Sequence, residues 1–287
     1  MRYLALAADY DGTLAMSGTL SAEVQAALER LRSSGRRLVL VTGRTFEDLA
    51  SACPSMDLFD CVVLENGAVL YSPSRRQMTA LCPPASPELV RELARRGVEP
   101  VISGQAIVAT KRPHEIAVLE TIRDLGLELQ IIFNDGAVMV LPSGVNKGSG
   151  LEAALRELGL STHEVVGVGN AENDHSFLEI CECSVAVDNA VPALKAKVDF
   201  CTRGSNGSGV AELMEELVTT DLSARIPGGT GDLVVLAVRR DGTPVTFPPY
   251  GCNILVLGSV GHRQVHLRDG AHRTAGRPQL PALHHRP

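Results

Sequence analysis

Tryptophan is absent from this 287-residue chain, and aromatic residues make up only 3% of it. Its core must therefore be built by aliphatic packing, for which a hydrophobic content of 45% is ample. Lysine is nearly missing, with four residues against 23 arginines. The seven cysteines include no CxxC pair. They read as reduced core thiols of a cytosolic protein, with a metal or redox role left open. No apolar run approaches a membrane span. The chain enters a strand at "RYLALAAD" without a signal-peptide core, so the cytoplasm is the expected compartment. A net charge of -6 argues against a nucleic-acid footprint over the main body.

What the chain does have is alternation. Strands are expected at 3–8, 37–42, 61–65, 164–168, 183–187 and 199–202, and helices at 21–34, 45–52, 147–159, 173–181, 191–198 and 208–218. Val24, Ala27, Leu28 and Leu31 form an i, i+3, i+4, i+7 stripe, as do Leu151, Ala154, Leu155 and Leu158. Strand–helix alternation favours a parallel sheet covered on both faces, an α/β fold. Residues 86–141 break the rhythm with a helix–strand–strand unit stated twice: helix 87–96, strands 98–102 and 105–110, helix 113–125, strands 127–133 and 136–141. The "NDG" at 134–136 is a hairpin turn. This pattern predicts a small α+β insert hinged at "CPPASP" and "PSG".

Four short motifs fall at strand or helix ends. "DYDGTL" closes the first strand with Asp9, Asp11, Gly12 and Thr13, where α/β sheets hold their ligands; alone it is equally a polar turn. "VTGR" closes the second with Thr42, Gly43 and Arg44, a hydroxyl and free N–H groups suited to an anion or to ordinary capping. "ENGA" at 65–68 reads only as a turn. Lys147 opens a helix, where its charge opposes the dipole and calls for an anionic partner; otherwise it is a solvated lysine. "GVGNAENDHSFL" at 167–178 is a glycine turn into a helix, with Asn173 and Asp174 at the helix start.

Taken in order, DxDGT, T-G-R, a lone lysine and G-N-x-x-N-D resemble the haloacid dehalogenase superfamily of phosphohydrolases over residues 1–218. The αββαββ insert between the second and third motifs is similar to the class IIB, or Cof-type, cap. The resemblance implies a Rossmann-like core at 1–82 and 143–220 and a cap at 83–142. It also implies a Mg²⁺-dependent phosphatase acting on a small phosphorylated metabolite, such as a sugar phosphate. Asp9 would be the nucleophile and Asp11 the general acid and base. Thr42, Gly43, Arg44, Lys147 and Asn173 would hold the phosphate. Mg²⁺ would be bound by Asp9, Asp11, Asn170 and Asp174. The cap would close over the site and select the substrate. In this family the fourth motif normally opens with Asp; here the position is Asn170. A neutral amide oxygen is a weaker ligand for a hard cation, which predicts reduced Mg²⁺ affinity and puts turnover, rather than fold, in question.

After Val218 the period breaks, and "DLSARIPGGTG" reads as a linker. Residues 232–261 then give a hairpin, a strand and the glycine loop "GSVG", similar to the entrance of a HerA-type ATPase domain. The Gly-Lys-Ser or Gly-Lys-Thr of a phosphate-binding loop does not follow, so ATP is not expected to bind at Gly258–Gly261. A one-base frame shift turns "HRQVH" at 262–266, with suitable codons, into Ile-Gly-Lys-Ser-Thr, completing such a loop. On that reading the histidine- and arginine-rich segment 262–287 is a disordered product of a shifted frame; on the alternative it is a native basic tail. Two other functions stay open: a phosphomutase on a sugar phosphate, and a catalytically weakened regulatory or binding domain.

Overall fold

The computed structural model describes residues 1–134, 136–225, 234–238 and 243–247. The glycine loop at 258–261 and the tail 262–287 lie outside the described residues. In chain order the core carries β1 (Ala5–Asp9), α1 (Ala22–Ser33), β2 (Arg37–Val41), α2 (Phe46–Ala52), β3 (Cys61–Leu64), β4 (Val69–Ser72) and β5 (Gln77–Ala80). The insert follows as α3 (Pro87–Arg95), β6 (Ile102–Ser103), β7 (Val108–Lys111), α4 (Glu115–Asp124), β8 (Leu129–Asn134) and β9 (Ala137–Pro142). The chain then returns to the core with α5 (Lys147–Leu158), β10 (Val165–Gly169), α6 (His175–Leu178), β11 (Cys183–Ala186), α7 (Pro192–Lys195), β12 (Phe200–Cys201) and α8 (Asn206–Thr220). Last come β13 (Val234–Val238) and β14 (Pro244–Phe247), paired antiparallel.

The core sheet has the order β12-β11-β10-β1-β2-β3-β4-β5. Its strands are parallel from β12 to β3, so the α/β expectation holds there. The parallel sheet expected from the sequence is incomplete: β4 and β5 add an antiparallel edge. Every residue of β1, β3, β4 and β10 is buried. Successive side chains of a strand point to opposite faces, so both faces of these strands are covered. Sequence dictates the helix ends as well. The Ser21 side chain accepts the Val24 N–H at the start of α1. Asn146 and Ser149 exchange hydrogen bonds in a capping box at the start of α5, which stops at a left-handed Gly159.

The cap is a four-stranded antiparallel sheet of order β6-β7-β9-β8. One face packs Val108, Val138 and Val140 against Leu89 and Leu93 of α3 and Val118 and Ile122 of α4. The other face turns Ile107, Met139 and Leu141 into the core's own hydrophobic cluster. The period of two along β7 and β9 thus glues cap to body. The expected strand 98–102 shrinks to Ile102–Ser103, because Pro100 has no N–H to give a ladder. The expected helix 173–181 divides into a 3₁₀ turn at Glu172–Asp174 and the short α6.

The segment read as a linker after Val218 also needs correction. Helix α8 runs on to Thr220, and Leu222 is 1% exposed in the core. Asp221 accepts from the guanidinium of Arg36 at 2.7 Å and from the backbone N–H groups of Arg2 and Tyr3. Among the described residues, no helix is long and apolar enough to cross a membrane.

Candidate active site

Because β1, β2 and β10 are parallel neighbours, their carboxyl ends open side by side. Asp9 is the last residue of β1, Thr42 follows β2, and Asn170 follows β10. Lys147 is the first residue of α5, which packs against β2 and β3 and places its N-terminus at the same edge.

The centre is a buried triad of charges. The Nζ of Lys147 donates to Asp9 Oδ1 and to Asp174 Oδ1, each at 2.6 Å. All three side chains are at most 6% exposed. The other oxygen of Asp174, Oδ2, accepts the N–H groups of Asn170 and Ala171 at 2.8 and 2.9 Å. Two carboxylates thus face one ammonium. Burial, and then the neighbouring Asp174, push the Asp9 carboxyl up to about 7, although Lys147 pulls the other way. Burial alone would discharge Lys147, but the two carboxylates overcome it and hold its pKa above the ordinary value.

The remaining predicted residues divide between this centre and its rim. The Thr13 hydroxyl donates to Asn170 Oδ1 at 3.0 Å, tying the first motif to the fourth. Thr42 is buried, and its hydroxyl accepts the Arg44 N–H. The guanidinium of Arg44, expected on a phosphate, instead forks Asp11, with Nε and Nη2 at 2.7 and 2.8 Å from its two oxygens. It also reaches Asp48 and stacks over Tyr10. Asn173, likewise expected on a phosphate, donates to Asn66 Oδ1 at 3.0 Å. Asp174, expected on a metal, has both oxygens engaged by Lys147 and the 170–171 backbone.

The site suits an oxygen-preferring cation. No group of three or more His, Cys, Asp or Glu side chains in metal-holding range occurs among the described residues. The oxygens of Asp9, of the Asn170 amide and of the Asp11 carbonyl are nonetheless the hard donors that Mg²⁺ accepts. The two carboxylates per ammonium leave a buried negative charge for such an ion to offset.

Sequence reasoning missed two residues of this neighbourhood. Glu65 and Asn66, in the loop after β3, are buried at 3% and 0% exposure, with φ of +51° and +53°. The Asn66 amide donates to Met139 Sδ in the cap while accepting from Asn173. Only the adjacent Asn-Gly pair hints at the left-handed backbone.

Comparison with known proteins agrees with this geometry. Residues 6–106 and 131–214 match the haloacid dehalogenase-like hydrolase family. A phosphoglycolate phosphatase of Methanothermobacter thermautotrophicus is 30% identical over 223 residues, covering 75% of this chain and 98% of that protein. One from Halorubrum lacusprofundi is also 30% identical, over 226 residues, covering 75% and 97%. Among solved structures, a haloacid dehalogenase-like hydrolase from Bacteroides thetaiotaomicron superposes with a TM-score of 0.66 at 20% identity, over 75% of this chain and 99% of that one. A subclass IIB sugar phosphatase of the superfamily gives 0.60 at 19% identity, over 74% and 98%. With more than half its length matched, its motifs converging at one sheet edge and its cap in place, the chain belongs to the haloacid dehalogenase-like hydrolase family.

Proposed function

We propose that the chain is a phosphatase that releases inorganic phosphate from a small phosphorylated metabolite, with Asp9 as nucleophile. The observation that carries this reading is the buried Lys147 ammonium, 2.6 Å from both Asp9 and Asp174, at the carboxyl edge of the sheet. An isolated ion pair there would be expensive to desolvate. An electropositive anchor beside a nucleophilic carboxylate is what phosphoryl transfer requires.

In the first step an Asp9 oxygen forms a bond to phosphorus as the ester P–O bond breaks, and Asp11 gives its proton to the departing alkoxide. In the second, water attacks the aspartyl-phosphate, Asp11 takes the water's proton, and the Asp9–phosphorus bond breaks to release phosphate. Lys147 keeps Asp9 oriented and balances the incoming charge. Thr42 and the Gly43 N–H, just past β2, would hold phosphoryl oxygens. Asp11 must leave the Arg44 fork to reach a leaving group; its side chain is 44% exposed, so the path is open. Asp9, Asn170 and the Asp11 carbonyl would hold Mg²⁺, which when bound supplies charge neutralisation of the phosphate.

The relatives' names make phosphoglycolate the first substrate to try and sugar phosphates the second. The test is phosphate release from a panel of such esters with and without Mg²⁺, beside Asp9→Asn. Turnover that survives in Asp9→Asn would sink the mechanism.

A further inference from the structure

The loop after β3 is a junction. The Glu65 carboxylate accepts three backbone N–H groups of the cap, from Gln105 and Ala106 at 2.8 Å and from Ile107 at 3.0 Å. No ammonium or guanidinium pairs with it among the described residues, so these amides carry its charge. The approach is close: a Cβ on Gly104 would lie 2.4 Å from Glu65 Oε1. On the body side, the Glu65 N–H donates to the Arg44 carbonyl and the Asn66 N–H to the Thr42 carbonyl, both at 3.0 Å. A Cβ on Gly67, at φ +103°, would lie 2.0 Å from the carbonyl of Asn146, which caps the Lys147 helix. The Gln105 carbonyl also accepts the N–H of Ala85, where the chain enters the cap.

We propose that Glu65 is a positioning residue that sets the cap turn 104–107 in register with the loops bearing Thr42, Arg44 and Lys147. Cap placement and phosphate-site geometry are then one variable. A cap that lifts at this turn withdraws three donors from a buried carboxylate. The loop holding that carboxylate is strained at two left-handed residues, and it rearranges together with the Thr42 and Arg44 carbonyls it is bonded to. Catalytic consequences rest on the phosphatase reading; the coupling itself does not.

Two variants approach the contact from opposite sides. Glu65→Gln leaves one acceptor oxygen and turns an NH₂ against the remaining donors. Gly104→Ala keeps the carboxylate and displaces it from the cap. In full-length protein, amide exchange followed by NMR should rise about tenfold or more at 105–107 in both variants, with the amides of β1 and β10 unchanged. Exchange at the Glu65 and Asn66 amides should rise too in Gly104→Ala, although that change lies in the cap. With p-nitrophenyl phosphate as probe, kcat should fall roughly tenfold or more while KM moves less than about threefold, the mark of misplacement rather than lost binding. Protection retained at 105–107 would overturn the proposal. So would loosening of 105–107 in Gly104→Ala with Glu65 and Asn66 still protected, or an equal loss of protection throughout the sheet. A wild-type protein inactive on every phosphate ester would sink the phosphatase reading and leave the exchange results to decide the coupling.

Discussion

Arg44 holds Asp11 through both carboxylate oxygens, in a planar fork of 2.7 and 2.8 Å, while standing next to Gly43 in the loop after β2. In this arrangement Arg44 pairs with the proposed general acid. Because Asp11 must leave this fork to reach a leaving group, and the guanidinium favours its ionised form, Arg44→Ala should speed esters with poor leaving groups relative to good ones by about tenfold. A leaving-group series of aryl phosphates checks it. Equal losses along the series would return Arg44 to the phosphate.

Asp9→Asn removes the proposed nucleophile and one of the two carboxylates facing Lys147. Phosphate release should fall to background. Stability should change by no more than about 1 kcal/mol in metal-free protein, because the substitution is isosteric and removes buried excess charge. Phosphate assays and thermal melts of the same preparation measure both.

Asn170→Asp adds a third carboxylate to the charge cluster. It should lower the Mg²⁺ concentration for half-maximal turnover by about tenfold, a gain of about 1.4 kcal/mol in ion affinity. It should also lower the metal-free melting temperature while enlarging the rise on adding Mg²⁺. Superimposed titrations of the two proteins would remove Asn170 from the ion site.

Ending the chain after Val218 should cost stability that ending it after Arg225 does not. The shorter form loses Leu222, whose burial contributes about 2 kcal/mol, and the Asp221 contacts to Arg2, Tyr3 and Arg36. It also loses the Arg225 fork on Glu216 at 2.8 and 2.9 Å. Denaturant melts of the two forms should differ by about 3 kcal/mol.

Asp221 carries a pH signature as well. Burial raises its carboxyl, but hydrogen bonds from the Arg2 N–H and the Arg36 guanidinium outweigh this and leave it below the ordinary 3.8. A depressed carboxylate adds stability above its unfolded pKa and loses it as pH falls through the folded value. Asp221→Asn should cost about 1 kcal/mol at pH 7, after allowing for its partial exposure. The gap to wild type should narrow below pH 4. A gap that does not change with pH would mean packing, not charge, is at stake.

The parts of this molecule that sequence reveals are those written in short range. Asp9, Thr42, Lys147 and Asn170 each sit at the end of an apolar run or the start of a periodic one, so their shared edge was legible from strand order. The strand β5 was not, because all four of its residues are exposed and give no buried side to detect. Glu65 was hidden for another reason: its partners are backbone amides 40 to 42 residues away, and an amide has no letter. The motif alone puts Arg44 and Asn173 on the phosphate. Their bonds to Asp11 and Asn66 depend on side-chain directions that spacing does not encode.

The position of β1 has a consequence for biosynthesis. It lies between β2 and β10, pairing Ala5 with Arg37 on one edge and with Val165 on the other. Its second edge thus waits for some 160 residues of further chain, including the whole cap. At about 5–20 residues per second this is roughly 8–30 s on the ribosome. During that interval the unpaired edge of a strand that is apolar up to Asp9 is open to any neighbouring chain. The cap can pair β6 through β9 among themselves in the meantime, so the nascent protein finishes its lid before its floor. Pausing of translation between Pro142 and Val165 prolongs that exposure and should lower the yield of native protein.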